Sequence, residues 1–294
     1  MLTRRNLLAA TAALPVPAAA SRMFLCMHQT TSAGSTFRAS LEGYARAGIR
    51  YVEVIPPLIE EFTKRESLAG AKRLIADLGL TAVSCGGVRG LAEPHAARPQ
   101  AIEDLKRVAA IVAELGIDRM VCPCGTTEKF TSEDYARGVE NLREAGDIVK
   151  PLGITAMLEF MRGSTFIGTL PTALRMTRQA AHPNVRPMFD CYHFWAGLSK
   201  FEDLDLIRSG EIHHVHFQDV PDIPREQLDN TTRDIPGEGV SPLVRILNKL
   251  AEKNYRGPLS VELFYPHLQK GDPYEVASHV RRKAEPILQQ AGVL

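Results

Sequence analysis

The chain has 294 residues, 45% hydrophobic and 23% charged, enough apolar mass for a large core and outside the composition of disordered proteins. Its formal net charge of +1 leaves no electrostatic footprint for nucleic acid or for an anionic membrane surface. Five cysteines, Cys26, Cys85, Cys122, Cys124 and Cys191, follow no regular framework, which argues against a disulfide-built fold; they read as small hydrophobes packing an interior.

The first 22 residues stand apart. Arg4-Arg5, then Leu7-Leu8 and an alanine run, then Pro15, Pro17 and Ala18-Ala19-Ala20, make a charged start, a short apolar centre and a small-residue cleavage site. This pattern predicts an export leader resembling a twin-arginine signal, and so a periplasmic or secreted protein; without a working leader it would stay in the cytoplasm. The apolar stretch falls short of the roughly 20 residues that cross a bilayer, so no membrane association is expected once the leader is removed.

From Met23 onward, strands and helices alternate about every 35 residues. Strands are expected over 23–27, 51–55, 80–84, 120–124, 154–160, 185–190, 212–217 and 259–264, nearly all apolar as strands buried on both faces are. Helices are expected over 37–47, 68–78, 102–115, 135–152, 170–181, 204–209, 242–253 and 273–290, with Gly48, Gly79 and Gly116 closing three and Ser132 capping one. A Pro-, Asp- and Gly-rich loop covers 220–239, and long irregular loops in compact domains are usually functional. Eight strand and helix pairs predict a single (β/α)8 TIM barrel over 23–294. An open doubly wound sheet is the runner-up, but no glycine-rich phosphate fingerprint follows the first strand.

In a barrel, functional side chains project from the C-terminal strand ends. Glu53, Glu159, Asp190, His216 and Glu262 all fall at or near such ends. Gathering ionised carboxylates without a cation costs many kcal/mol or forces them to protonate. Glu159, Asp190, His216 and Glu262 are therefore expected to face one divalent metal ion, with Mn²⁺ or Mg²⁺ ahead of Co²⁺ and Zn²⁺ for so oxygen-rich a set. His193, three residues after Asp190, and Arg233, just before the 235–239 turn, are placed to hold substrate oxygens. His28 and Glu53 are assigned to the opposite wall, Trp195 with Phe194 to an apolar lid, and Asp219 to a position behind the His216 imidazole. His214 shares a face with His216.

The runs LEF at 158–160, DCYH at 190–193, HVHFQD at 214–219, RDIPGEG at 233–239 and SVELF at 260–264 together give the chain a specific resemblance to the sugar phosphate isomerase/epimerase superfamily of xylose isomerase-like barrels. The resemblance covers essentially everything after the leader. It implies metal ligands at Glu159, Asp190, His216 and Glu262 and substrate contacts at His193 and Arg233. It also implies a sugar or cyclitol isomerase or epimerase that moves a proton next to a carbonyl through an enediolate, with Glu159 or Glu262 as the base. The same site could expel a β-oxygen as a keto-sugar or cyclitol dehydratase or a 3-keto-glycoside lyase, and a non-catalytic carbohydrate-binding barrel is the reading from another class. Ketohexose epimerases of the group often add a carboxylate shortly after the first metal glutamate; here 161–166 offers only Arg162, which argues against free ketohexoses. Apurinic-site endonucleases share the barrel but need further histidines, whereas strand four ends in Cys122-Pro123-Cys124-Gly125. The expected partner is a small sugar or keto sugar, with assembly into a homo-oligomer left open.

Overall fold

The computed structural model describes residues 23–294, and the expected leader lies outside the described residues. These residues contain nine parallel strand segments: β1 (Phe24–His28), β2 (Tyr51–Val54), β3 (Thr81–Gly86), β4 (Arg119–Cys124), β5 (Thr155–Phe160), β6 (Val185–Pro187), β7 (Phe189–Asp190), β8 (Val215–His216) and β9 (Pro258–Val261). Their order around the sheet is β6-β5-β4-β3-β2-β1-β9-β8-β7. The two edge segments are halves of one stave, because only Met188 separates them in the chain. Met188 N–H still donates to Leu158 on β5 at 3.1 Å, while Phe189 N–H donates to His214 at 3.0 Å. The backbone thus changes partner at Met188, which nearly closes the expected barrel of eight staves and leaves Asp190 directly beside His216.

The helices Phe37–Arg46, Leu68–Asp77, Arg98–Leu115, Ser132–Val149, Leu170–Ala180, Leu243–Glu252 and Pro273–Gln290 wrap the sheet, each burying an apolar face against it. Gly48, Gly79 and Gly116 follow three of them at φ of 79°, 66° and 77°, the left-handed geometry that relieves a helix end. Ser132 is not the expected cap but the first residue of its helix; Thr131 precedes it, and its N–H and hydroxyl both donate to Asp134. The helix expected over 204–209 is a tight 3-10 turn at Phe201–Leu206 instead. Three short helices were not foreseen, Pro56–Thr63, Cys191–Ala196 and Pro266–Gln269. Pro56-Pro57 does end the second strand, but proline also suits the first turn of a helix, where its missing N–H costs nothing. Among the described residues no helix is long and apolar enough to cross a membrane.

Most of the apolar core lies between sheet and helices; Val121, Met157 and Met188 form a small separate cluster. All five cysteines are buried and free, and burial pushes their thiols up, Cys122 to about 12, which keeps them neutral and hydrophobe-like.

Two ties position the functional rim. The Asp219 carboxylate accepts backbone N–H groups from Val220 (2.9 Å), Ser241 (2.8 Å), Gly237 (3.1 Å) and Gly239 (3.1 Å), and its backbone bridges to Asp234. The loop at 220–239 is therefore folded over its own aspartate. Gly237 sits at φ 94°, and a Cβ at Gly239 would collide with the Val220 carbonyl, so both glycines are required by the wrap. Below the rim, Glu211 takes a two-pronged contact from Arg178, 2.7 Å to Nε and 2.7 Å to Nη2, and accepts Arg208 N–H at 2.8 Å, fastening the segment ahead of β8 to the helix Leu170–Ala180.

Replacing Asp219 by Ala removes an acceptor shared by four amides, and about 3 kcal/mol of stability should go with it. Amide hydrogen exchange should show faster exchange at Gly237, Gly239 and Ser241 than in the wild type; unchanged protection there would contradict this reading of the loop. Burial disfavours the charged form of Glu211, but its hydrogen bonds from Arg178 and Arg208 outweigh this and hold the carboxyl below its ordinary value. Its stabilising contribution is present above the unfolded-state value near pH ~4.3 and is lost as pH falls through the lower folded value. Glu211→Gln should cost about 1–2 kcal/mol at pH 7 by chemical denaturation, a gap that narrows as the pH is taken from 5 to 3.

Candidate metal centre

Four staves deliver the candidate residues. Glu159 lies near the end of β5, and Asp190 and His216 pair in register at the ends of β7 and β8. His216 also pairs with Ser260, so Glu262, one residue past β9, reaches the rim two positions further along. His216 Nδ1 stands 3.1 Å from Glu159 Oε1, 3.5 Å from Glu262 Oε2 and 3.6 Å from Asp190 Oδ2. Each of the four residues offers one ligand atom, and these atoms all lie within 4.8 Å of one another.

Asp190 divides its two oxygens. Oδ1 accepts the N–H of His193 at 2.5 Å and so caps the helix Cys191–Ala196, while Oδ2 faces the cluster, with Gln218 Nε2 at 3.0 Å and Arg233 Nη1 at 3.2 Å. Arg233 is 2% exposed. It lies over the rings of Tyr192 (5.2 Å) and Phe264 (4.9 Å), pairs with Glu262, and donates to His193 Nε2 at 2.8 Å. His193 is thus on a capped helix rather than in a loop, and it meets Arg233, not open solvent.

Charges follow from these neighbours. Burial raises Glu159, against the pull of His216. Burial also works against ionised Asp190 and Glu262, but Asp190 is held far down by His193 and Arg233 and Glu262 is held down by Arg233 and His216. His216 is raised well above its ordinary value, the surrounding carboxylates overcoming desolvation, whereas burial pushes His193 down to about 3 with help from Arg233. Four carboxylates, Glu53, Glu159, Asp190 and Glu262, thus crowd a region whose fixed positive charge among their ion-pair partners is the single guanidinium of Arg233. This imbalance, together with three carboxylates and one imbedded imidazole converging on one point, fits a divalent cation. Above it opens a cavity of about 280 Å³, with His28, Glu159, His216, Arg233, Glu262 and Phe264 among its lining.

The sequence-predicted residues divide accordingly. Glu159, Asp190, His216 and Glu262 come together; His28 and Arg233 line the cavity, and His193 touches Arg233. Glu53 does not form the opposite wall. It is fully buried beneath the centre, where His214 Nε2 (2.7 Å), His216 Nε2 (3.3 Å) and His28 Nε2 (3.4 Å) face it, because a carboxylate on a central strand needs donors that the apolar wall lacks. Trp195 is no lid over this cavity; it packs with Tyr192, Val220 and Leu228 beneath Arg225, and Phe194 is in the core. Asp219 serves the 220–239 loop and leaves the place behind His216 to Glu53. Two residues at the centre were not assigned from sequence. His214 and Gln218 flank His216 at spacing two, so strand alternation alone puts all three on one face. Arg89 also lines the cavity, and no motif marks it.

The sequence pattern of the family described as xylose isomerase-like TIM barrel matches residues 41–284. Inosose isomerase of Halalkalibacterium halodurans is 30% identical over 254 residues, which span 83% of this chain and 89% of that protein. A 3-dehydroshikimate dehydratase of Pseudomonas putida is 26% identical over 80% of this chain, but only 37% of that longer protein is covered. Among solved structures, the zinc-bound IolI protein superposes with a TM-score of 0.85 at 24% identity, covering 92% of this chain and 99% of that one. By the extent of the family match and the inosose isomerase alignment, the chain belongs to the xylose isomerase-like TIM barrel family.

Proposed function

We propose that this protein is a divalent-metal-dependent isomerase or epimerase of a small sugar or cyclitol ketone. The observation that carries the reading is the convergence of Glu159, Asp190, His216 and Glu262 within 4.8 Å at the floor of a cavity of about 280 Å³. That volume is near the low end for small-molecule sites and suits one ring, not a polymer. Similarity to an inosose isomerase supports the same substrate class.

A divalent ion at this centre would act as a Lewis acid on the substrate carbonyl and make the neighbouring carbon acidic. Glu159 and Glu262 reach the cavity from β5 and from the end of β9, so each can take or return a proton at that carbon from its own side. Return by the same carboxylate to the adjacent carbon, with the hydroxyl proton passing to the former carbonyl oxygen, isomerises; return by the other carboxylate to the original carbon inverts that centre. Arg233 holds substrate oxygens while His193, which accepts from its guanidinium, keeps it in place, and Phe264 covers the ring with an apolar face. The similarity to 3-dehydroshikimate dehydratase favours elimination as the second reading, in which loss of a β-hydroxyl follows the same proton removal. The three carboxylates support Mn²⁺ or Mg²⁺ ahead of Co²⁺ or Zn²⁺ as the ion, and the leader-like pattern of residues 1–22 supports export to the periplasm.

Incubating inososes and keto sugars with the Mn²⁺-loaded protein in deuterated water should place deuterium at the carbon next to the carbonyl. Glu262→Gln and Glu159→Gln should each slow that incorporation at least about a hundredfold while the barrel stays folded. Full activity in either variant removes that residue from the mechanism, an enone absorbance band identifies a dehydratase, and tight ligand binding with no exchange identifies a binding protein. Treatment with a chelator should abolish exchange, and Mn²⁺, Mg²⁺, Co²⁺ and Zn²⁺ added back separately should rank the ions; activity that survives complete metal removal contradicts the proposal. Cell fractionation of the full chain should find it in the periplasm, and a cytoplasmic location would show the leader silent.

A further inference from the structure

Glu53 touches neither the cavity nor solvent, yet it is the carboxylate around which the histidines of the site are arranged. It pairs in register with His28 on β1 and with Ser84 on β3. Three ring nitrogens face it, His214 Nε2 at 2.7 Å, His216 Nε2 at 3.3 Å and His28 Nε2 at 3.4 Å, and among the described residues no lysine or arginine pairs with it.

A carboxylate can only accept, so a nitrogen this close to it carries the hydrogen. For His28 the opposite nitrogen agrees: Nδ1 accepts the N–H of Thr30 at 3.0 Å, which leaves the hydrogen on Nε2. For His214, Nδ1 is buried without any partner, and all of its hydrogen bonding passes through Nε2. His216 then donates from Nε2 to Glu53 and turns Nδ1 toward Glu159, Glu262 and Asp190, where a proton or a cation must bridge the gap.

We infer that Glu53 is the positioning residue that fixes the tautomer and ring orientation of His216, so that Nδ1 offers its electron pair to the ion at the centre. The inference rests on the metal-dependent reading above. Carboxylates behind a ligating imidazole work in this way at metal sites, and losing one typically weakens metal binding ten- to a hundredfold. His214 is the hydrogen-bonding partner that holds Glu53 still, with His28 Nε2 3.4 Å away on its other oxygen. A rival use of the same atoms exists, since donor atoms of His28, Glu53 and His216 also lie within 4.8 Å of one another and could hold a second ion. The geometry favours positioning, because the His214 N–H already occupies Glu53 and no opening of the cavity reaches it.

The test is Mn²⁺ binding, followed by electron paramagnetic resonance of the free ion, in the wild type, Glu53→Gln and His214→Phe. A second readout is the imidazole nitrogen spectrum of ¹⁵N-histidine-labelled, Zn²⁺-loaded protein. The wild type should bind one equivalent, and Glu53→Gln should bind about ten- to a hundredfold more weakly and lose the single Nε2–H tautomer of the zinc-bound ring. His214→Phe keeps the carboxylate but removes its nearest donor, and it should lose affinity less severely; it carries the test should Glu53→Gln not fold. Unchanged affinity and an unchanged tautomer in the variants overturn the inference while leaving the metal reading intact. Two bound equivalents in the wild type, one of them lost in Glu53→Gln, overturn it in favour of a second ion. A wild type that binds no Mn²⁺ removes the metal reading and this inference together.

Discussion

The constraint on which this structure depends is electrostatic: three carboxylates must share a dry point in space with one imidazole. At separations near 4 Å and an effective dielectric of about 20, each pair of like charges repels by about 4 kcal/mol. Three such pairs rival the whole folding free energy of an ordinary domain, about 5–15 kcal/mol. The barrel tolerates the arrangement only because positive charge is supplied locally, by Arg233 wedged between Tyr192 and Phe264 and by an imidazole able to accept a proton or an ion. The rest of the rim serves this requirement.

The supports are layered. Asp190 spends one oxygen on capping the helix that carries His193 and keeps the other for the centre, so one residue places a neighbour and joins the cluster. Arg162, the departure from ketohexose epimerases, does not reach toward substrate; its guanidinium donates to the backbone carbonyls of Ala196, Leu228 and Arg225 and pins the outer loop. Asp219 does the same from inside that loop, through which Arg233 is delivered. The candidate metal centre and the loop architecture are therefore built from the same few polar residues, which explains why the motifs of this chain are short and dense.

Much of this was legible in the sequence. The uniformly apolar strands and glycine-closed helices pointed to a parallel sheet covered on both faces, eight strand and helix pairs with no glycine-rich phosphate loop favoured a barrel over an open doubly wound sheet, and the strand ends then named the rim. Misplacements have a common cause. Glu53 and Trp195 were assigned by proximity to the mouth, but whether a side chain at a strand end points into the cavity, into the barrel or outward depends on stagger between strands, which periodicity does not encode. Asp219 was paired with His216 on spacing, whereas the backbone amides of its own loop lay nearer.

The sequence by itself determined the eight staves, the chemical inventory of the rim and the family to which both belong, since hydrophobic period and local motifs are properties of contiguous residues. Only the tertiary structure decided which oxygen of Asp190 faces the centre, that Arg233 joins Glu262 and His193, and that His28, His214 and His216 turn toward Glu53. Those facts arise between residues far apart in the chain, where strand register, the partner change at Met188 and the direction of each ring set distances that no local pattern contains.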